Sequence, residues 1–200
     1  MNKQIKHFSW KNIVDRQQIA HLLQQGKIGV MPTDTIYGLL GSAEQPRAVS
    51  KIYRVRRRPH NKPMIILINS WQQIKDLGVT ITPAQKRLMV QHWPGAISFI
   101  VPCPVPSRKY LHRGQKTISL RWPANLLLQR ILRITGPLVA PSANLAGLLP
   151  ALDIKQAERY FGRQIDFYCS RGVIQHKIST VVDLTVKPYK IIRPGVVKKL

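Results

Sequence analysis

Six short polar clusters stand out along the 200-residue chain, each joining hydroxyl, amide or guanidinium groups to a change of chain direction. They are Thr33-Asp34-Thr35-Ile36-Tyr37-Gly38, the Arg56-Arg57-Arg58-Pro59 run, Thr117 to Arg121, Pro141-Ser142-Ala143-Asn144, Ser179-Thr180 and Arg193-Pro194-Gly195. In the third, period-two alternation sends Thr117, Ser119 and Arg121 to one face of an extended segment. Taken singly, Pro-Thr-Asp-Thr also reads as an Asx or ST turn, Ser-Ala-Asn as a helix N-cap and Arg-Pro-Gly as a surface turn. Taken together, with Arg58, Arg121 and Arg193 at strand ends, they describe a pocket rich in donors and poor in carboxylates. Such a pocket suits an anionic ligand, a nucleotide phosphate or an amino-acid carboxylate, because guanidinium groups grip either one bidentately.

Other chemistries lack their residues. Gly114-Gln115-Lys116-Thr117 resembles only the tail of a P-loop, and there is no dinucleotide fingerprint, kinase signature or nucleophile elbow. Cys103 and Cys169 stand far apart, which argues against a redox pair or a disulfide framework and for reduced, buried thiols. The six His show no ligand spacing, so no metal site is expected. With eight Asp and Glu in the chain, any Mg²⁺ would be held mainly by substrate phosphates and water. The longest apolar run, Met64 to Ile68, falls far short of the ~20 residues that span a bilayer. Met1 to Trp10 lacks the apolar core of a secretory signal. A cytoplasmic protein with no membrane partner is expected. The 32 Lys and Arg against 8 acids give +24, which points to polyanions such as nucleic acid or nucleotides. A basic proteome would give the same number without a functional meaning.

Alternating helical and extended patterns must position these clusters. Residues 11 to 25 read as an amphipathic helix with Ile13, Ile19, Ala20, Leu22 and Leu23 on one side and Gly26 as its C-cap. A second helix from Arg47 turns Ala48, Val49, Ile52 and Val55 to the core and aligns Lys51, Arg54 and Arg58 on its other face. Further helices are expected near 71 to 77 and 83 to 92, and one carries Ala124, Leu127, Leu128, Ile131 and Leu132. Strands are expected at Ile28 to Met31, Met64 to Ile68, Ile97 to Val101, Thr117 to Arg121, Leu138 to Ala140, Thr180 to Leu184 and Lys190 to Ile192. The interleaving predicts an α/β fold, one domain over 1–200 built on a twisted open mixed sheet with helices.

The clusters, with Trp93-Pro94-Gly95 and Ser179-Thr180-Val181, resemble the YrdC/TsaC family in order from about Ile28 to Val196. Members of that family are threonylcarbamoyl-AMP synthases. The resemblance implies a YrdC-like fold, with L-threonine, bicarbonate and ATP combined to threonylcarbamoyl-adenylate and pyrophosphate. A TsaD-type transferase would then pass the group to tRNA, and a basic concave face would hold tRNA or double-stranded RNA. Mg²⁺ would arrive on the ATP phosphates. The chain looks like the short form of the family, without an extra C-terminal domain. Carried across, the resemblance makes Thr35, Arg121, Ser142 and Ser179 the threonine contacts. It makes Arg58, Lys62, Thr117, Asn144 and Arg193 the ATP contacts, and Arg56, Arg58, Ser142 and Asn144 the catalytic set.

The chain departs from the family pattern at several positions. Arg56 stands where Lys is usual, Lys62 where Asn is, Leu67 where His is often found, Leu40 in place of a Gly, and Leu152 in place of a hydroxyl. Arg keeps the charge of Lys but not its compact ammonium geometry. Two other readings remain open at this level: an RNA-binding module of the same fold without adenylate chemistry, and a carbamoyl-transfer domain like that of hydrogenase maturation factors. The acylphosphatase-like and zinc-finger segments that accompany the latter are absent from the sequence.

Overall fold

The computed structural model describes residues 5–175 and 178–198. Its strands are β1 (Lys6–Ser9), β2 (Gly29–Pro32), β3 (Tyr37–Ser42), β4 (Ile65–Leu67), β5 (Ile97–Pro102), β6 (Thr117–Arg121), β7 (Leu138–Val139), β8 (Phe167–Ser170), β9 (Thr180–Asp183) and β10 (Lys190–Arg193). They join in one sheet in the order β1-β8-β2-β3-β7-β4-β6-β5-β9-β10. The sheet is mixed: β1 and β2 run parallel to β8, β4 to β6 and β5 to β9, and the remaining pairs are antiparallel.

Around the sheet lie α1 (Ile13–Gln24), α2 (Pro46–Val55), α3 (Trp71–Asp76), α4 (Pro83–His92), α5 (Lys109–His112), α6 (Leu126–Thr135) and α7 (Ile154–Phe161). Their starts follow from the sequence. The side chains of Asn12, Ser70, Asn125 and Asp153 each accept an amide at the head of a helix. Thr82 and Gln85 close a reciprocal capping box at the head of α4, so orphan donors there are met by side chains.

Strand pleating divides the core in two. Val30, Leu39, Ile66 and Val139 belong to one apolar cluster, and their neighbours Met31, Leu40, Leu67 and Leu138 to another. The first cluster includes residues of α2, α3, α4, α5 and α7, and it runs along the sheet from β8 to β9. The second is closed by Ile19, Ala20 and Leu23 of α1 and Leu128, Ile131 and Leu132 of α6. Those two helices cover only the part of the second face over β8, β2, β3, β7 and β4. Over β6, β5 and β9 no helix lies on this face among the described residues.

Several sequence expectations need correction. Ile13 is 60% exposed rather than packed with its helix, and Ala124 precedes α6. The Tyr37-Gly38-Leu39-Leu40 segment, to which the sequence reading assigns no strand, is the start of β3, buried on both faces. The expected alignment of Arg58 with Lys51 and Arg54 fails because α2 stops at Val55. There the Arg57 amide donates to the Arg54 carbonyl (3.1 Å) and the Arg58 amide to that of Tyr53 (3.0 Å), while Arg57 takes φ 52°. This is a Schellman ending with an arginine where glycine is usual. It reverses the chain so that Arg56 and Arg58 point to one side and Arg57 stays exposed.

Candidate functional site

The uncovered stretch of the second face is the floor of a cavity of about 610 Å³, within the range of small-molecule sites. Ile65 of β4, Ile100 of β5 and Val181 of β9 give it an aliphatic base, crossed by Thr117, Ser119 and Arg121 of β6. Strand register sets Ser119 between Ile65 and Ile100. Ser119 Oγ and Arg121 Nε are both shielded and have no hydrogen-bond partner among the described residues, so two polar groups of the floor are left unmet there.

At one end Arg121, 4% exposed, donates from Nη2 to Asp34 Oδ1 (2.9 Å) and from Nη1 to Thr35 Oγ1 (2.9 Å). Asp34 Oδ2 also accepts the Ala124 amide (3.1 Å). Thr35 Oγ1 lies 3.1 Å from Thr33 Oγ1, which donates to the Ile36 carbonyl (2.7 Å) and so fixes the turn. Burial pushes the Arg121 guanidinium below its ordinary pKa and the Asp34 charge opposes that shift. Asp34 is a residue that sequence reasoning placed in the motif but not among the site residues. Its signal was present: a carboxylate in a chain with few of them, next to a predicted ligand threonine.

A second wall is built by Arg56, which is 4% exposed. Its Nε donates to the Asn144 carbonyl (2.9 Å), and its Nη2 to Asn144 Oδ1 (2.8 Å) and Ser142 Oγ (3.3 Å). Ser142 in turn donates to Asn144 Oδ1 (2.6 Å). Asn144 differs from the expectation of a direct nucleotide contact. Its Nδ2 is consumed by the Leu145 and Leu148 carbonyls (2.8 and 2.7 Å), and it is absent from the cavity lining, whereas Ser142 and Arg56 are part of it. Asn144 is the clamp that aims Arg56. Burial, with the charge of Arg58 beside it, lowers the pKa of Arg56 to about 10.

Arg58 and Lys62 stand at the mouth on the loop between α2 and β4. Arg58 Nε donates to the Lys62 carbonyl (3.0 Å) and its Nη2 to that of Pro63 (2.8 Å). Among the described residues Arg56 and Arg58 thus donate through Nε and Nη2, and the Tyr53 hydroxyl also lies beside the Arg58 guanidinium. Opposite, Arg193 of β10 donates to the Ser179 carbonyl (2.7 Å) and to Ser179 Oγ (3.0 Å). Ser179 Oγ also lies 3.3 Å from the fully buried Ser98 Oγ. Gly195 makes this contact possible: a side chain there would run into the backbone of Ile178, Ser179 and Thr180.

The structure thus gathers Thr35, Arg121, Ser142 and Ser179 around one cavity, together with Arg56, Arg58, Lys62, Thr117 and Arg193. Of the predicted set, Asn144 alone stands behind the wall. Arg121 has Asp34 as its counter-charge. Arg56, Arg58, Lys62 and Arg193 have none among the described residues, and burial plus mutual repulsion lowers the pKa of Arg193. Arg56 is buried, Arg58 half-buried, and Lys62 and Arg193 exposed at the mouth, so the four cations give the cavity a positive field that favours an anion, and the buried Arg56 gains most from one.

The profile of a family described as "Telomere recombination", covering Sua5, YciO and YrdC proteins, matches residues 21–195. The chain belongs to the Sua5/YciO/YrdC family. A Methylobacillus flagellatus protein named threonylcarbamoyl-AMP synthase is 32% identical over 182 residues, covering 88% of this chain and 97% of that protein. A crystal structure of Pyrococcus abyssi Sua5 complexed with L-threonine superposes with a TM-score of 0.86 at 29% identity. That match covers 96% of this chain and 57% of the Sua5 chain, so this chain spans little more than half of it. The Escherichia coli YciO structure matches at 26% identity and TM-score 0.84, covering 97% and 96% of the two chains. A full-length HypF structure shares the fold at 17% identity and TM-score 0.78. Within this Sua5/YciO/YrdC chain, no described helix is long and apolar enough to cross a membrane.

Proposed function

We propose that the protein is an L-threonylcarbamoyladenylate synthase, a nucleotidyltransferase that joins L-threonine, bicarbonate and ATP. The observation that carries this reading is the pairing of two unlike anion sites on one floor: a preset Arg121–Asp34–Thr35 corner and a separate group of four unpaired cations. Relatives at 31–32% identity that are named threonylcarbamoyl-AMP synthases support it, as does the L-threonine complex of Sua5.

In this reading the threonine carboxylate meets the remaining N–H groups of Arg121, with the Thr35, Ser142 and Ser179 hydroxyls beside it. The threonine amine and bicarbonate give a carbamate and water. A carbamate oxygen attacks the α-phosphorus as the bond to the β-phosphate oxygen breaks, and pyrophosphate leaves with that electron pair. Positioned cations answer the charge that builds on the phosphorane and on the leaving group. Arg56 and Arg58 serve the α- and β-phosphates, with Lys62 and Thr117 at the outer end and Arg193 opposite. Asn144 acts through Arg56. No carboxylate lines the cavity, and Asp34 is spent on Arg121 and the Ala124 amide. Mg²⁺ therefore enters as part of the Mg-ATP substrate, held by phosphate oxygens and water.

The product would pass to a TsaD-type transferase for tRNA modification in the cytoplasm. The deciding experiment is pyrophosphate release from ATP with threonine and bicarbonate omitted in turn. Release that requires both is expected. A folded protein that releases none would leave the RNA-binding module as the better reading.

A further inference from the structure

One half-buried cation lies outside the cavity wall and has no role in the scheme above. Arg113 follows α5 with its backbone in the left-handed region, φ 52°, and its amide donates to the Lys109 carbonyl (2.8 Å). Its guanidinium carbon lies 3.9 Å from the centre of the Tyr53 ring. Nε and Nη2 are shielded from solvent and have no hydrogen-bond acceptor among the described residues. Leaving two such donors unmet would be costly, and the π face of Tyr53 takes the place of the acceptor.

Tyr53, 1% exposed, turns its hydroxyl to the Lys62 carbonyl (3.0 Å). That is the carbonyl to which Arg58 Nε also donates (3.0 Å). The His60 ring stacks on Tyr53 at 5.5 Å, and the Gln115 amide reaches the Asn61 carbonyl (3.5 Å). The short turn after α5 therefore holds α2 through Arg113 on Tyr53 and the loop after it through Gln115 on Asn61. A guanidinium, a ring and a carbonyl form an unbroken path from Arg113 to Arg58.

We propose that Arg113 is a positioning residue for the nucleotide: stacked on Tyr53, it fixes the Lys62 carbonyl that aims Arg58. This rests on reading the Arg56–Lys62 loop as the phosphate side of the site. An exposed cation acting at long range would attract ATP without involving Tyr53. A path through the ring makes the two residues energetically one unit.

The test is ATP affinity of the whole protein by calorimetry, without threonine, for Arg113→Met, Tyr53→Phe, the double variant and Arg113→Lys. Arg113→Met should weaken ATP about fivefold, the scale of a lost cation–π contact, and Tyr53→Phe by about as much, the scale of the hydroxyl's lost hydrogen bond to the Lys62 carbonyl. The double variant should be little worse than either single one. Arg113→Lys, which keeps a cation over the ring, should recover most of the affinity, and threonine affinity should stay at the wild-type value throughout. Wild-type ATP affinity in Arg113→Met, effects that multiply in the double variant, or a parallel loss of threonine affinity would each overturn the assignment. Wild-type protein that binds ATP but releases no pyrophosphate refutes the synthase reading alone, and the cycle still decides Arg113. Wild-type protein with no ATP affinity refutes both.

Discussion

At the scale of single residues, Asp34 and Arg56 show two opposite ways to keep a guanidinium buried. Arg121 is held by a carboxylate, so Asp34→Asn removes both its counter-charge and its aim. The expected result is a rise of roughly tenfold or more in the threonine requirement of pyrophosphate release, the scale of a lost charge-assisted bond. The ATP requirement should change much less. Arg121→Ala should do the same, and it leaves the shielded Asp34 carboxylate with the Ala124 amide as its remaining partner among the described residues. Arg56 has carbonyl, amide and hydroxyl oxygens but no carboxylate, and burial lowers its pKa to about 10. A cation whose folded pKa lies below its unfolded value costs stability that is fully present below about pH 10. That cost is relieved as pH rises from there to the unfolded value, because the unfolded chain then binds more protons. A bound phosphate reverses the penalty by pairing with the charged form. The rise in melting temperature caused by ATP should therefore be larger at pH 7.5 than at pH 10.5. A shift of equal size at both values would remove Arg56 from the phosphate site.

Among the elements, the end of α2 does most to build the site. Its Schellman turn separates three successive arginines into two that serve the cavity and one that faces water, at the expense of a left-handed Arg57. Arg57→Gly should therefore leave stability unchanged or raise it by up to about 1 kcal/mol and retain pyrophosphate release, as chemical denaturation and the assay would show. A large loss of activity would give Arg57 a ligand role that its exposure does not suggest. None of this was legible from periodicity, which carried the helix on to Arg58. Strands whose inward residues alternate with polar ones, such as Thr117 to Arg121, were read with their register. Segments that owe their state to burial were not. β3 contains Gly38, Gly41 and Ser42 and looks like a turn. Its glycines lie against Leu40, Thr33 and Ile28 so closely that a side chain would collide. Between Pro141 and Ser179 the sequence reading placed no element, although α7 and β8 lie there. Phe167, Tyr168 and Cys169 of β8 are all buried, so no alternation marks it. The polar clusters themselves were found because their residue types are unusual, whereas the supporting contacts of Asp34, Ser98 and Tyr53 join positions that no local pattern connects.

For the molecule as a whole, the +24 charge includes a long stretch without counter-charge: nine Lys and Arg and no acid lie between Asp76 and Asp153. If this surplus serves tRNA or double-stranded RNA, binding should show little sequence preference and weaken steeply between 50 and 200 mM salt, by roughly 10³ or more for six phosphate contacts. Affinity that ignores salt would return the surplus to a property of the proteome. The site, too, belongs to the whole chain rather than to any part. Arg56 is held by residues 86 and 88 positions away, and Arg121 by one 87 positions away. The last wall arrives with Arg193 and Gly195. During synthesis, every ribosome-bound chain that has not yet delivered that strand carries a half-lined, open floor, with its buried cations still exposed to water. The order of emergence thus works as a timer. On the synthase reading a nascent chain lacks the wall that would hold ATP, and the nucleotide, if it binds, can act as the closing contact of folding rather than as its template.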